Sequence, residues 1–244
     1  TSGSETMFLR TLIALRLIAL LGLVLGFSSA EAAGRRVRKV QIEVKDEARA
    51  GFLDPSRLAD QLGTNRLEGE LLVDVDLQSV VTHLEALDAC AKAEVYPHMD
   101  GTLHIDVWQR RPVMRVHVHG GEDHYLDRDG ERMGLDPYHT PHLPVMHVTQ
   151  ADQAKMGLQF VNDTRGDAFW NNLTDQLSVN DQGELVLHPR LAGHHIVLGD
   201  GSETAHKKRN LLTFYRAQIE RGNLRNYKRI DLTYRDQVIA QRYP

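Results

Sequence analysis

The chain has 244 residues, 41% hydrophobic and 25% charged, with a formal charge of −4. That balance fits an ordinary globular protein with packed cores and argues against a general nucleic-acid binder, which needs a clearly basic face. The single cysteine, Cys90, excludes an intramolecular disulfide, so stability has to come from packing.

The first element is the apolar segment Met7–Phe27, densest over Leu17–Leu21 and Leu23–Leu25. It reaches the roughly 20 residues that span a hydrocarbon core, with Arg10 and Arg16 inside it. Arg16 would have to snorkel toward the headgroups. The pattern Ala30-Glu31-Ala32 just after it also fits a signal-peptide cleavage site. Basic residues flank the segment on both sides, so the charge rule for topology decides nothing, and both readings stand. Either way, the rest of the chain is exported.

Val40–Val44 alternates apolar and polar, which marks a half-buried strand. Asp54-Pro55 supplies an N-cap and a first-turn proline, Leu58 and Leu62 share a helix face, and Gly63 suits a left-handed C-terminal position. A second helix begins near Asp76, with Leu77, Val80, Val81, Leu84 and Leu87 as its stripe. Ala91, Ala93 and Val95 return to a period of two. After the turn at 97–101, Leu103, Ile105 and Val107 point one way and His104 and Asp106 the other. Strand, helix, helix, strand, strand is an α+β sandwich of the kind seen in POTRA modules, and it has the look of a docking module.

Arg111-Pro112 closes that unit and Val113–Val118 opens the next. Asp127, Asp129 and Gly130 lie in a polar turn whose acids lack calcium-loop spacing. A helix is expected within Thr149–Asn162 and a helical turn carrying Trp170 within Gly166–Leu173. Strands are expected around Leu177–Val179, Leu185–Leu187 and Ile196–Leu198. Asp200 and Glu203 have capping-box spacing for a helix bearing Leu212, Tyr215 and Ile219. Ile230–Tyr234, a polar turn and Val238–Ala240 end the pattern. A terminal strand left at a sheet edge could accept a partner's strand.

Catalytic signals are absent from the pattern. The thirteen histidines form no HExxH, Cys90 has no partner for a zinc knuckle, and neither a serine elbow nor a phosphate loop occurs. The histidines read as scattered surface residues; a secreted metal-dependent enzyme is the reading they would otherwise support. No cofactor and no metal is expected.

Several runs nonetheless resemble a known family. They are Val95-Tyr96-Pro97, Leu103–Val107 and Gln109–Val113; Leu126-Asp127 with Gly130; Leu143-Pro144; Ile196–Asp200 followed by Lys207, Lys208 and Leu211–Tyr215; and Tyr227–Val238. In this order, behind this apolar segment, they resemble the bacterial cell-division family FtsQ/DivIB, in the form of its Bacteroidetes-type members. The chain departs from the family at Thr233, where members often carry Arg.

The resemblance implies a single transmembrane helix at 7–28, a POTRA domain (β-α-α-β-β) at 36–110 and a mainly antiparallel β domain at 111–244 with a helix before its terminal strand pair. It favours an uncleaved anchor in the inner membrane, with the bulk of the chain in the periplasm at the division septum. It further implies a non-enzymatic scaffold that binds FtsB and FtsL by strand addition. Carried over by position, Tyr234, Arg235, Asp236, Gln237 and Val238 are the partner-binding residues, so that Gln237→Pro would remove ladder bonds. The Val40–Val44 edge is a secondary contact. The competing implication is an exported POTRA-type module of an envelope assembly or secretion system.

Overall fold

The structure is a computed structural model describing residues 34–45, 51–150, 152–190 and 193–244. It is α+β and contains two compact units, one built on Leu53–Gln109 with the strand before it, the other on Arg110–Pro244 together with Phe52. Among the described residues no helix is long and apolar enough to cross a membrane. The proposed span Met7–Phe27 lies outside them.

In the first unit, β1 (Lys39–Lys45) is followed by α1 (Pro55–Leu62), the single turn α2 (Thr64–Leu67), α3 (Leu77–Glu85), β2 (Cys90–Pro97) and β3 (Thr102–Gln109). Local chemistry sets the boundaries. The Asp54 carboxylate accepts from the Arg57 N–H at 3.0 Å, and Gly63 ends α1 at φ 60°, a conformation only glycine reaches without cost. The extra turn α2 was not expected. It starts on that same Gly63 and delivers Leu67 to a small cluster around Val37, Val75 and Leu103.

The sheet order is β1-β3-β2, with β1 parallel to β3 and β2 antiparallel to it. The helices supply the crossover that a parallel neighbour requires. Leu103, Ile105 and Val107 are fully buried, as the alternation predicts, and Cys90 is buried with Ile105 and Val107 as a small hydrophobe. Asp106 on the other face is also buried, paired with Lys45 at 3.2 Å and with the Tyr96 hydroxyl at 3.2 Å.

The second unit is a nine-stranded sheet in the order β12-β11-β10-β9-β8-β7-β4-β5-β6. Its strands are β4 (Pro112–Val118), β5 (His124–Asp127), β6 (Arg132–Met133), β7 (Val145–Val148), β8 (Thr174–Val179), β9 (Leu185–Pro189), β10 (His195–Gly199), β11 (Tyr227–Asp231) and β12 (Ile239–Arg242). The expectation of a mainly antiparallel sheet is met only as a majority, because β4–β7, β7–β8 and β10–β11 are parallel. Two of these three joins contain helices, which return the chain to the same end of the sheet. They are α4 (Gln153–Asp163) with α5 (Ala168–Leu173), and α6 (Thr204–Glu220).

One apolar cluster joins the sheet to its helices, including Met114, Met146, Leu177, Leu187, Ile196, Phe160, Trp170 and Leu211. Asp167 caps α5, accepting from the Phe169 N–H at 2.9 Å, and takes the Lys208 ammonium of α6 at 2.7 Å. That ammonium, together with these backbone bonds, holds the Asp167 carboxyl below its ordinary value.

The expected capping box at α6 does not form. Asp200 turns back to accept from the Ser202 N–H at 2.9 Å, and α6 starts after Glu203, which sits at φ 53° with no side-chain cap. The turn at Asp127 is as expected, with one carboxylate oxygen accepting from the Asp129 and Glu131 N–H groups.

A buried polar pair lies beside β10. His194, 2% exposed, has Nε2 2.7 Å from the Tyr215 hydroxyl. Burial, with a smaller contribution from His195, lowers the His194 pKa to about 4, and burial raises that of Tyr215. Between those values and the ordinary range, the unfolded chain binds a proton that folded His194 does not. Stability is therefore present above about pH 6.5 and is lost as the pH falls toward 4. Between pH 7.5 and 5 the loss from this residue should be about 2 kcal/mol. Urea midpoints at the two pH values measure it, and His194→Gln should reduce the difference. It should not abolish it, because burial also lowers His188 and His195.

Candidate functional site

The candidate site is the end of the large sheet formed by β11 and β12. Tyr227 anchors it from below: its ring packs edge-on against Phe214 at 5.1 Å and its hydroxyl donates to Gln218 Oε1 at 3.2 Å. Ile230 is fully buried. Leu232 N–H donates to Val197 O at 2.9 Å and Thr233 N–H to the Asp231 carboxylate at 2.9 Å. These bonds end β11 and swing the chain into a turn.

β12 then returns antiparallel, pairing Ile239 with Asp231, Ala240 with Ile230, Gln241 with Arg229 and Arg242 with Tyr227. The extra residue at the bulge, Lys228, belongs to β11, so the alternation along β12 is unbroken. Tyr243 N–H donates to Asn226 O at 3.0 Å. Alternation therefore turns the Ile239 and Gln241 backbone groups toward β11 and those of Ala240 and Arg242 away from it.

Among the described residues β12 is the last strand of the sheet, and its outer side pairs with nothing. Ile239, Tyr243 and the nearby Tyr234 are each about half exposed, at 49%, 48% and 55%. An open ladder flanked by exposed apolar and aromatic side chains is chemically suited to accept another strand. The Arg242 guanidinium lies 5.4 Å from the Tyr227 ring centre, and the Tyr243 hydroxyl donates to Gly193 O at 3.2 Å, so the strand is held at its far end.

The residues carried over by resemblance lie beside this ladder rather than on it. Tyr234 to Gln237 form a turn closed by a long Gln237 N–H to Tyr234 O contact of 3.5 Å. Arg235 O accepts from the Asn210 side chain at 2.9 Å, and Asp236, 91% exposed at its side chain, lies 3.8 Å from His206 Nε2. Val238 packs inward against the large core. The terminal strand begins one residue later, at Ile239, and the Gln237 amide is not part of any ladder. Gln241 and Arg242 on β12, and Tyr243 just past it, lie outside the carried-over set. The apolar run Val238–Ala240 after a polar turn was the signal for them, and positional carry-over displaced it.

The histidines are less scattered than their spacing implies. His117, His147, His188 and His195 each stand one position from a core residue in the chain, which places all four on the sheet face opposite the helices. His117 and His147 have ring centres 5.2 Å apart, and His188 and His195 6.3 Å. Asp123 lies 2.8 Å from His117 and 2.7 Å from Arg115. Among the described residues no group of three or more His, Cys, Asp or Glu side chains is placed to hold a metal ion.

In the first unit β1 is an edge strand among the described residues, with its Val40 N–H taken by Glu68 Oε1 at 3.3 Å. No curated protein matches the chain. A family model described as FtsQ/DivIB, C-terminal related, matches residues 111–241, which is more than half of the chain.

Proposed function

The chain belongs to the FtsQ/DivIB C-terminal-related family, whose members are non-enzymatic cell-division proteins, and from that premise we propose that it is a scaffold of the septal division machinery. Its terminal β-strand adds to a strand of the FtsB/FtsL complex. The observation that carries this reading is the open outer side of β12, the last strand of the nine-stranded sheet.

In this reading the ladder runs along Ile239–Arg242, and backbone hydrogen bonds supply affinity while Ile239 and Tyr243 supply apolar contact. Tyr234, Arg235, Asp236 and Gln237 form the adjoining turn, whose exposed ring and charges set register and partner choice. Val238 positions the strand from inside. The first unit acts as a POTRA-type module, a view supported by its order of one strand, helices and two strands with β1 parallel to β3. Met7–Phe27 holds the protein in the inner membrane, with both units in the periplasm.

Amide hydrogen exchange tests the proposal. On mixing with the periplasmic part of FtsB and FtsL, the Ala240 and Arg242 amides should gain at least about tenfold protection, as newly made ladder bonds would give. Binding that protects only other segments, or no binding, would overturn strand addition at β12.

A further inference from the structure

The first unit has one end at which exposed apolar and basic side chains meet. The incoming chain, Arg35 to Arg38, runs between two loops there. On one side Arg38 N–H donates to Gly101 O at 2.9 Å, in the tip that joins β2 to β3. That tip is pressed close. Gly101 lies at φ +88°, and a Cβ on it would come 3.0 Å from Arg36 O and from the Arg38 side chain. Met99 stands out of the same tip, 83% exposed. On the other side Leu72 N–H donates to Arg35 O at 2.8 Å, and the next residue, Val73, is 67% exposed. Beside the tip lies a groove of about 800 Å³ lined by Arg35, Arg36, Arg38, Gly69, Met99 and Asp100.

Distance ties this end to the apolar segment. Gly34 stands seven residues after Phe27, a tether that spans at most about 25 Å. β2 and β3, eight residues each, are about as long as that tether, so the tether reaches this end of the sheet far more readily than the opposite one.

Resting on the reading that Met7–Phe27 stays in the bilayer, we propose that this end of the first unit docks on a phospholipid surface. Arg36 and Arg38 meet headgroup phosphates, and Met99 enters the interfacial layer. Glu68, Glu70, Asp74 and Asp100 lie on the same loops and oppose an anionic surface. Two of them are engaged: Glu68 Oε1 accepts from the Val40 N–H and Asp100 Oδ1 from the Thr102 N–H. The balance of charge makes the apolar contribution of Met99 essential, and an exposed Met beside Arg is the pairing that interfacial docking uses.

The test uses full-length protein reconstituted into vesicles of phosphatidylethanolamine and phosphatidylglycerol, some lipids carrying bromine near the headgroup and others at mid-chain. A bimane probe, whose apolar ring takes the place of the methionine side chain at 99, is placed at Met99→Cys, at Lys92→Cys toward the other end of β2, or at Leu20→Cys; native Cys90 is buried and does not compete for label. The probe at 99 should be quenched at least about twofold more than the probe at 92, and Arg36→Glu with Arg38→Glu should remove most of that excess. Equal quenching at 99 and 92, with strong quenching at 20, would overturn lipid docking while leaving the anchor reading intact. An unquenched probe at 20 would overturn the anchor reading and the docking with it. Unchanged circular dichroism for each variant excludes unfolding as the cause.

Discussion

Ala240→Pro is expected to weaken capture of the FtsB/FtsL complex at least about tenfold while leaving the unfolding midpoint of the second unit nearly unchanged. The Ala240 amide points away from β11, so proline there removes no bond that the folded protein makes with itself. Proline is tolerated on an edge strand in that orientation. For an incoming strand the same change deletes a donor, and the ring occupies the place where the partner's carbonyl would lie. One ladder bond is worth about 1 kcal/mol and the steric exclusion adds to it, so affinity should fall at least about tenfold.

Two further prolines make the result interpretable. Ile239→Pro takes out an amide that faces β11 and should lower stability itself. Gln237→Pro alters only the turn, whose closing contact is long, and should leave the ladder intact. Pulldown together with urea denaturation separates the three. If Ala240→Pro binds as the native chain does, the ladder is not the contact.

Trp170→Ala should cost about 3–5 kcal/mol in the second unit, as emptying a large buried aromatic site does. Trp170 is 1% exposed and packs edge-on against Phe160 at 5.3 Å and Phe169 at 5.2 Å. It therefore joins α4 and α5 within one core. A domain is stable by only about 5–15 kcal/mol, so the variant should show a much reduced denaturant midpoint or fail to fold at 37 °C. Trp170→Phe keeps most of the ring volume and should lose clearly less. A midpoint for Trp170→Ala within experimental error of the native one would mean that the core is not organised on this ring.

Much of the local structure is legible in the residues. Leu103, Ile105 and Val107 announce a buried strand face because a strand's side-chain period is two. Asp54 and Gly63 mark the ends of α1 because a cap and a left-handed stop each need those residue types. Where local competition decides, the reading fails. Asp200 had a nearer partner in Ser202 than the helix amide the capping-box spacing offered it.

The candidate site shows the same division at larger scale. The residues alone give an apolar segment, a strand–helix–strand first unit, a second unit rich in short strands, and a polar turn before a last apolar run. Each depends on neighbours a few positions away, through periodicity, capping and turn chemistry. Only the tertiary structure decides that β12 lies at the edge of the sheet, that its Ala240 and Arg242 amides point outward, that Tyr234 to Gln237 form the turn beside the ladder, and that four histidines from different strands share a face. Those properties are set by which strands pair and in what register. Such pairings join residues far apart in the chain, and no local pattern encodes them.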